Sequence, residues 1–211
     1  MTQKEKIFLE SKAWAMEKLS LDKTYFERLA GLHSPEILWL GSVDSLVPVR
    51  ALINADPGEV MVYRNLGCQV RKDDLSLMAT IQDAVEMSRV KYIVVCGYSH
   101  CSGIQDVISG NDQRRFVRQW LEELHVLYDS YSEELLDLDL EQRSRRLAEL
   151  NIRAQVIKLS QLEIVRQAWD KSEGPALFGW YFDLDSGGLT EVFSMEPNSR
   201  LNQVTSLLQT S

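Results

Sequence analysis

The sequence predicts an α/β protein: a parallel-rich central sheet flanked by helices, built as one domain over residues 1–211 with a helical arm over 1–34. Three observations carry that reading. Apolar runs at 36–40, 60–64 and 91–96 are interleaved with helical patterns, the order of a right-handed βαβ crossover. The run Ile93-Val94-Val95-Cys96 shows no polar alternation, as expected of a central parallel strand covered on both faces. The composition is that of a globular chain, with 45% hydrophobic and 26% charged residues in 211, enough for a substantial core.

Taken in order, Ile7, Phe8, Trp14, Ala15 and Leu19 fall at roughly helical spacing, so the arm is expected to lie on something apolar. A short second helix carries Tyr25, Phe26, Leu29 and Ala30 and is punctuated by Gly31 and Pro35. Glu36-Ile37-Leu38-Trp39-Leu40 reads as a buried strand ending at Gly41. Val60-Met61-Val62-Tyr63-Arg64 reads as a second, introduced by the turn-forming Asp56-Pro57-Gly58. Asp73-Asp74 starts a helix whose apolar face is Leu75, Met78, Ala79, Ile81, Ala84 and Val85. From 103 to 172 the chain reads as largely helical, with the acidic patch at 132–141 taken as a solvated loop and helix start. Ala176 to Phe182 and Leu189 to Phe193, joined by Asp185-Ser186-Gly187-Gly188, read as an edge hairpin.

Charge and cysteine usage narrow the partners. A net charge of -8 disfavours nucleic acid and anionic membrane surfaces, because nothing offsets phosphate repulsion. The first residues lack the apolar core of a signal peptide, and no apolar run reaches membrane-spanning length. Cys68, Cys96 and Cys101 form no disulfide framework and fit a reducing compartment. A soluble, cytoplasmic protein is the expectation.

In open α/β sheets, ligands sit outside the carboxyl ends of the strands. Two turns lie there: Gly41-Ser42-Val43-Asp44-Ser45-Leu46-Val47-Pro48 and Gly97-Tyr98-Ser99-His100-Cys101-Ser102-Gly103. Together with Asp56-Pro57-Gly58-Glu59, Tyr63-Arg64-Asn65, Asn151-Ile152-Arg153 and Gly179-Trp180, they make the chain resemble a bacterial β-carbonic anhydrase. The resemblance covers about 9–193. It implies the β-carbonic-anhydrase-like fold, dimerisation through the N-terminal arm and often further association. It also implies a zinc ion held by Cys, His and Cys, with an open position whose water is activated to attack carbon dioxide and yield bicarbonate.

The chain departs from that pattern at its reactive centre. The first cysteine position holds Ser42, the histidine position holds Tyr98, and only Cys101 remains. Asp44 is kept, but the arginine that would pair with it is replaced by Leu46, which is expected to make the pocket more apolar. The expectation is therefore a carbonic-anhydrase-like protein without catalytic zinc or hydration activity, a sensor, scaffold or partner subunit with no cofactor. The alternative is an active, divergent enzyme with a rebuilt zinc site using Asp44, Cys101 and a histidine. Candidates for the added ligands are His33, which stands where the family has a glutamine entering the neighbouring subunit's cleft, His100, whose adjacency to Cys101 would require an unusual loop, and Cys68 near the sheet edge. A third possibility makes Cys101 a nucleophile activated by His33 or Tyr98. The plainer readings are that Cys68 and Cys96 are compact core residues, Cys101 a packed thiol and Asp44 a turn cap. One subclass of the family also binds bicarbonate at a non-catalytic Trp, Arg and Tyr, positions that read here as Trp39, Arg64 and Tyr181. The competing reading makes the two aromatics core residues and pairs Arg64 with Glu59.

Overall fold

The computed structural model describes residues 1–31, 35–110 and 114–197. His33, proposed above to enter a neighbouring subunit, lies outside the described residues. Helices α1 (Gln3–Leu21) and α2 (Tyr25–Gly31) form the arm. Thr2 and Glu5 make a reciprocal capping box, the Glu5 amide donating to the Thr2 hydroxyl at 3.2 Å and the Thr2 amide to the Glu5 carboxylate at 2.8 Å. No residue of α1 is buried. Trp14 packs edge-on against Tyr25 and Phe26, with centroids 6.2 and 5.7 Å apart, and Ile7, Phe8 and Met16 face solvent in this single chain. The apolar surface expected beneath the arm is not supplied by the chain's own sheet.

Five strands follow the apolar runs: β1 (Ile37–Ser42), β2 (Val60–Asn65), β3 (Tyr92–Tyr98), β4 (Ala176–Phe182) and β5 (Leu189–Met195). They pair in the order β2-β1-β3-β4-β5, the first four parallel and β5 antiparallel at the edge. The intervening helices are α3 (Val49–Leu52), α4 (Leu75–Gln82, continued by a π turn at Asp83–Met87), α5 (Ser102–Ser109), α6 (Arg115–Trp120), α7 (Glu122–Ser130), α8 (Ser132–Leu136), α9 (Leu140–Ser160) and α10 (Glu163–Asp170). Asp74 caps α4, its carboxylate accepting from the Leu77 amide at 3.1 Å. The acidic patch at 132–141 includes the expected helix start, the first turn of α9 capped by Asp139, and a short turn at 137–139, but its first part is a helix, α8, pinned by the fully buried Leu135.

Alternation along the strands divides the core. Leu38, Leu40, Ile93, Val95 and Leu177 pack in one cluster with residues of α4, α9 and α10. Trp39, Val94 and Cys96 belong to a second cluster with residues of α5, α7 and α9. Helix α9 approaches β3 and β4 where both carry glycine. A Cβ on Gly97 would sit 2.8 Å from Ile152 Cδ1, and one on Gly179 would sit 2.6 Å from Ile152 Cγ2. The long helix is thereby seated across the strands whose carboxyl ends form the candidate site.

Candidate active site

Three segments converge beyond the strand ends. Strand β1 ends in Ser42, which is fully buried. Strand β3 ends in Tyr98, and Cys101 caps α5; each of these two is 4% exposed. Residues Leu66–Cys68 form a 3₁₀ turn after β2, in which Gly67 adopts φ +72, a left-handed conformation that glycine takes without strain.

The Ser42 hydroxyl is the hub. It donates to Asp44 Oδ1 and accepts from the Gly67 amide at 3.2 Å and the Cys101 thiol at 3.7 Å. A hydroxyl offers one donor and two lone pairs, so its hydrogen-bonding capacity is fully used. Asp44 Oδ2 accepts from the Ser102 amide at 2.8 Å. Burial pushes the Asp44 carboxyl up, but hydrogen bonds from Ser102, Ser42 and Tyr98 outweigh it and hold the group below the usual carboxylate range. The Tyr98 phenol is raised by burial and by the negative charge that Cys101 and Asp44 would place beside it, so it stays neutral. Burial likewise pushes the Cys101 thiol up, with Asp44 adding to the effect. Such a thiol is the opposite of an activated nucleophile, which removes the support for Cys101 as one.

Beneath this hub, buried amides fix the Gly67 peptide. Its carbonyl accepts from Gln69 Nε2 at 2.8 Å and Asn151 Nδ2 at 2.9 Å. Asn151 Oδ1 in turn accepts from Gln69 and Gln155, each at 2.9 Å. Sequence reasoning quoted Asn151 only as a family marker. The signal it passed over is the pair Asn151 and Gln155, four apart on a helix face that is otherwise apolar.

The other sequence candidates fall elsewhere. Arg64 does not pair with Glu59; its guanidinium donates to the Ser45 carbonyl at 2.6 Å and the Val47 carbonyl at 2.8 Å. Held from both sides, Leu46 between them turns outward and is 78% exposed, so it does not line an apolar pocket. Trp39 is buried and meets Trp180 edge-on at 5.8 Å. In the register, Trp39 is level with Val94 and Phe178, and Arg64 is level with Gly41, so both share a face with Trp180 and Phe182. Tyr181 is level with Gly97 and points to the opposite face, under Arg145 of α9. The trio Trp39, Arg64 and Tyr181 is therefore not brought together. His100 adopts φ +66 and turns to Asp185 (3.4 Å), away from Cys101. Cys68 and Cys96 are buried thiols that donate to the carbonyls of Cys96 and Gly97, each at 3.3 Å. Burial raises both, that of Cys96 to about 12, as suits core residues.

A parallel-rich sheet with two polar turns at its carboxyl edge is the architecture in which open α/β folds place their ligands. The family model described as carbonic anhydrase matches residues 37–189. The chain is 34% identical over 189 residues to the carbonic anhydrase of Emericella nidulans, spanning 89% of this chain and 82% of the relative. Among solved structures, a tetrameric β-carbonic anhydrase of Sordaria macrospora superposes with a TM-score of 0.86 at 31% identity, covering 91% of this chain and 98% of that one. The Coccomyxa β-carbonic anhydrase in complex with acetazolamide gives 0.86 at 25% identity over the full length of both. The chain belongs to the β-carbonic anhydrase family.

Family members normally hold zinc, and the donor set here does not fit that ion. Ser42 has no lone pair left, Tyr98 is a neutral phenol, and Cys101 spends its proton on Ser42. Among the described residues, no group of three or more His, Cys, Asp or Glu side chains is placed to hold a metal ion. No helix among them is long and apolar enough to cross a membrane.

Proposed function

We propose that this chain is a β-carbonic anhydrase scaffold that folds and assembles without a catalytic zinc ion and does not hydrate carbon dioxide, serving as a scaffold or partner subunit. One observation carries the reading: the buried Ser42 hydroxyl is saturated by Asp44, Gly67 and Cys101 at a position where the family places a thiolate ligand. Without three protein ligands and an open position, nothing lowers the pKa of a bound water toward about 7. Stopped-flow measurement of carbon dioxide hydration, with zinc supplied, tests it. The expected rate is the uncatalysed background, and catalysis well above it overturns the reading.

The active alternative draws on a specific geometry, since Asp44 and Cys101 both hydrogen-bond to the one Ser42 hydroxyl. It requires a third ligand from outside that cluster, and it expects Cys101→Ala to abolish metal content and hydration together.

Assembly is supported by α1, whose Ile7, Phe8, Leu9, Met16 and Leu21 are each more than half exposed in the single chain. A second copy covering them makes a homodimer. Light scattering is expected to give a dimer or larger species, and a monomer would count against it. Three free thiols are consistent with a cytoplasmic setting. Bicarbonate capture by Trp39, Arg64 and Tyr181 acting together lacks support, because Tyr181 faces away from the other two.

A further inference from the structure

A second surface stands apart from both the strand-end site and the arm. Helices α7 and α9 leave a cleft of about 430 Å³ between them, walled by Val126, Leu127 and Ala154. That volume lies within the range of about 300–1,000 Å³ that holds small organic groups. None of its lining residues belongs to the hub around Ser42 or to α1.

The polar groups at the cleft already have partners, which decides what fits. Gln155, 2% exposed at its base, accepts from the Val70 amide at 2.8 Å and donates to Asn151 Oδ1 at 2.9 Å. The Ser130 hydroxyl donates to the Val126 carbonyl at 2.7 Å, and Lys158 is paired with Glu123. An occupant therefore meets no polar demand at the floor, and an apolar group suits it. One charge is left over at the rim: Glu122 is exposed and makes no ion pair with a described residue.

The chain carries the complement a few residues away. Phe116 of α6 is the most exposed aromatic side chain among the described residues, at 78%. The Arg115 guanidinium lies 5.8 Å from its ring centroid, and Arg118 follows one turn on. Both arginines are exposed, and neither pairs with a carboxylate of the described residues. In a chain of net charge -8, such an unneutralised basic pair stands out. A bare ring flanked by cations matches an apolar cleft with an acidic rim in both shape and sign. Only Leu121 separates α6 from α7, so ring and cleft are neighbours on one surface. A two-fold axis there presents each ring to the other copy's cleft, which closes the contact.

We propose that this surface joins a second copy of the chain, Phe116 of one copy entering the α7–α9 cleft of the other, with Arg115 and Arg118 facing Glu122 of the partner subunit. The proposal is independent of zinc and rests on the arm-paired dimer. One ring and its flanking charges bury far less than the roughly 1,200–2,000 Å² of a stable interface. The contact holds where two of them join two dimers at once.

Sedimentation velocity of the full chain at low ionic strength tests it. The parent is expected to exceed the dimer mass and to fall back toward it as salt is raised. Phe116→Ser should stop at the dimer, its dimer-to-tetramer dissociation constant raised at least about thirtyfold, the scale of losing an interface hot spot. Its circular dichroism should match the parent, because the ring already faces solvent. Arg115→Glu with Arg118→Glu should weaken the association about tenfold, and adding Glu122→Lys to that chain should recover most of the loss. A misfolded variant would show no such recovery. A parent that is dimeric with the same mass in Phe116→Ser, or no recovery on adding Glu122→Lys, would overturn the proposal and leave the arm standing. A monomeric parent would remove the arm-paired dimer and the proposal together.

Discussion

Ser42 can sit fully buried at the end of β1 because each hydrogen-bonding position of its hydroxyl has a partner. Ser42→Ala leaves the Gly67 amide unpaired in a buried setting and deprives Asp44 of a donor. That should cost about 1–3 kcal/mol in denaturant unfolding, and a value equal to the parent would show that the hydroxyl does not hold these loops. Asp44 adds a pH dependence whose sign follows from its depressed folded pKa. Its contribution is present above the unfolded-state value near about 3.9 and is lost as pH falls through the folded value. The parent should therefore lose stability relative to Asp44→Asn as pH drops below about 4, with the two curves converging in acid. Parallel curves would contradict the hydrogen-bonded carboxylate. Little of this was legible in the sequence. The resemblance identifies positions 42, 44, 98 and 101, but Gly67 and Ser102 act through backbone amides, which carry no residue signature.

At the scale of elements, the strands were the most legible part, because each is a short apolar run bounded by turn residues. The pairing register was not. Alternation separates Tyr181 from Trp180 and Phe182, but only the alignment of β1, β3 and β4 shows that Trp39 falls with the latter two. The same limit hid the role of two strand glycines. Gly97→Ala should destabilise the protein by about 1–3 kcal/mol through overpacking against Ile152, and Ile152→Val in the same chain should recover part of that loss. No recovery would place the strain in the strand itself. Helix α1 shows the reverse case. Its spacing announced an apolar surface to be covered, and the chain's own fold leaves that surface open. Deleting 1–21 should convert the assembled species to monomer by light scattering, and an unchanged mass would remove the arm from the interface.

For the whole molecule, the family's sheet is kept, and the groups where its strand-end turns meet are joined in a hydrogen-bond network through Ser42 and Asp44. Fold and site therefore draw on different residues: the sheet needs apolar alternation, whereas the zinc centre needs a few donors that packing does not require. Combining Ser42→Cys, Tyr98→His and Leu46→Arg should restore zinc binding at least in part, since thiolate and imidazole return beside Cys101. Failure would mean that the backbone between β1 and α5 no longer presents the tetrahedral arrangement. The most direct test of the central claim is the zinc-to-protein ratio of the unaltered chain, measured by elemental analysis after saturation with zinc and removal of loosely bound ion. A ratio far below one per chain, unchanged by Cys101→Ala, is expected. One tightly held zinc per chain that disappears in Cys101→Ala would contradict it.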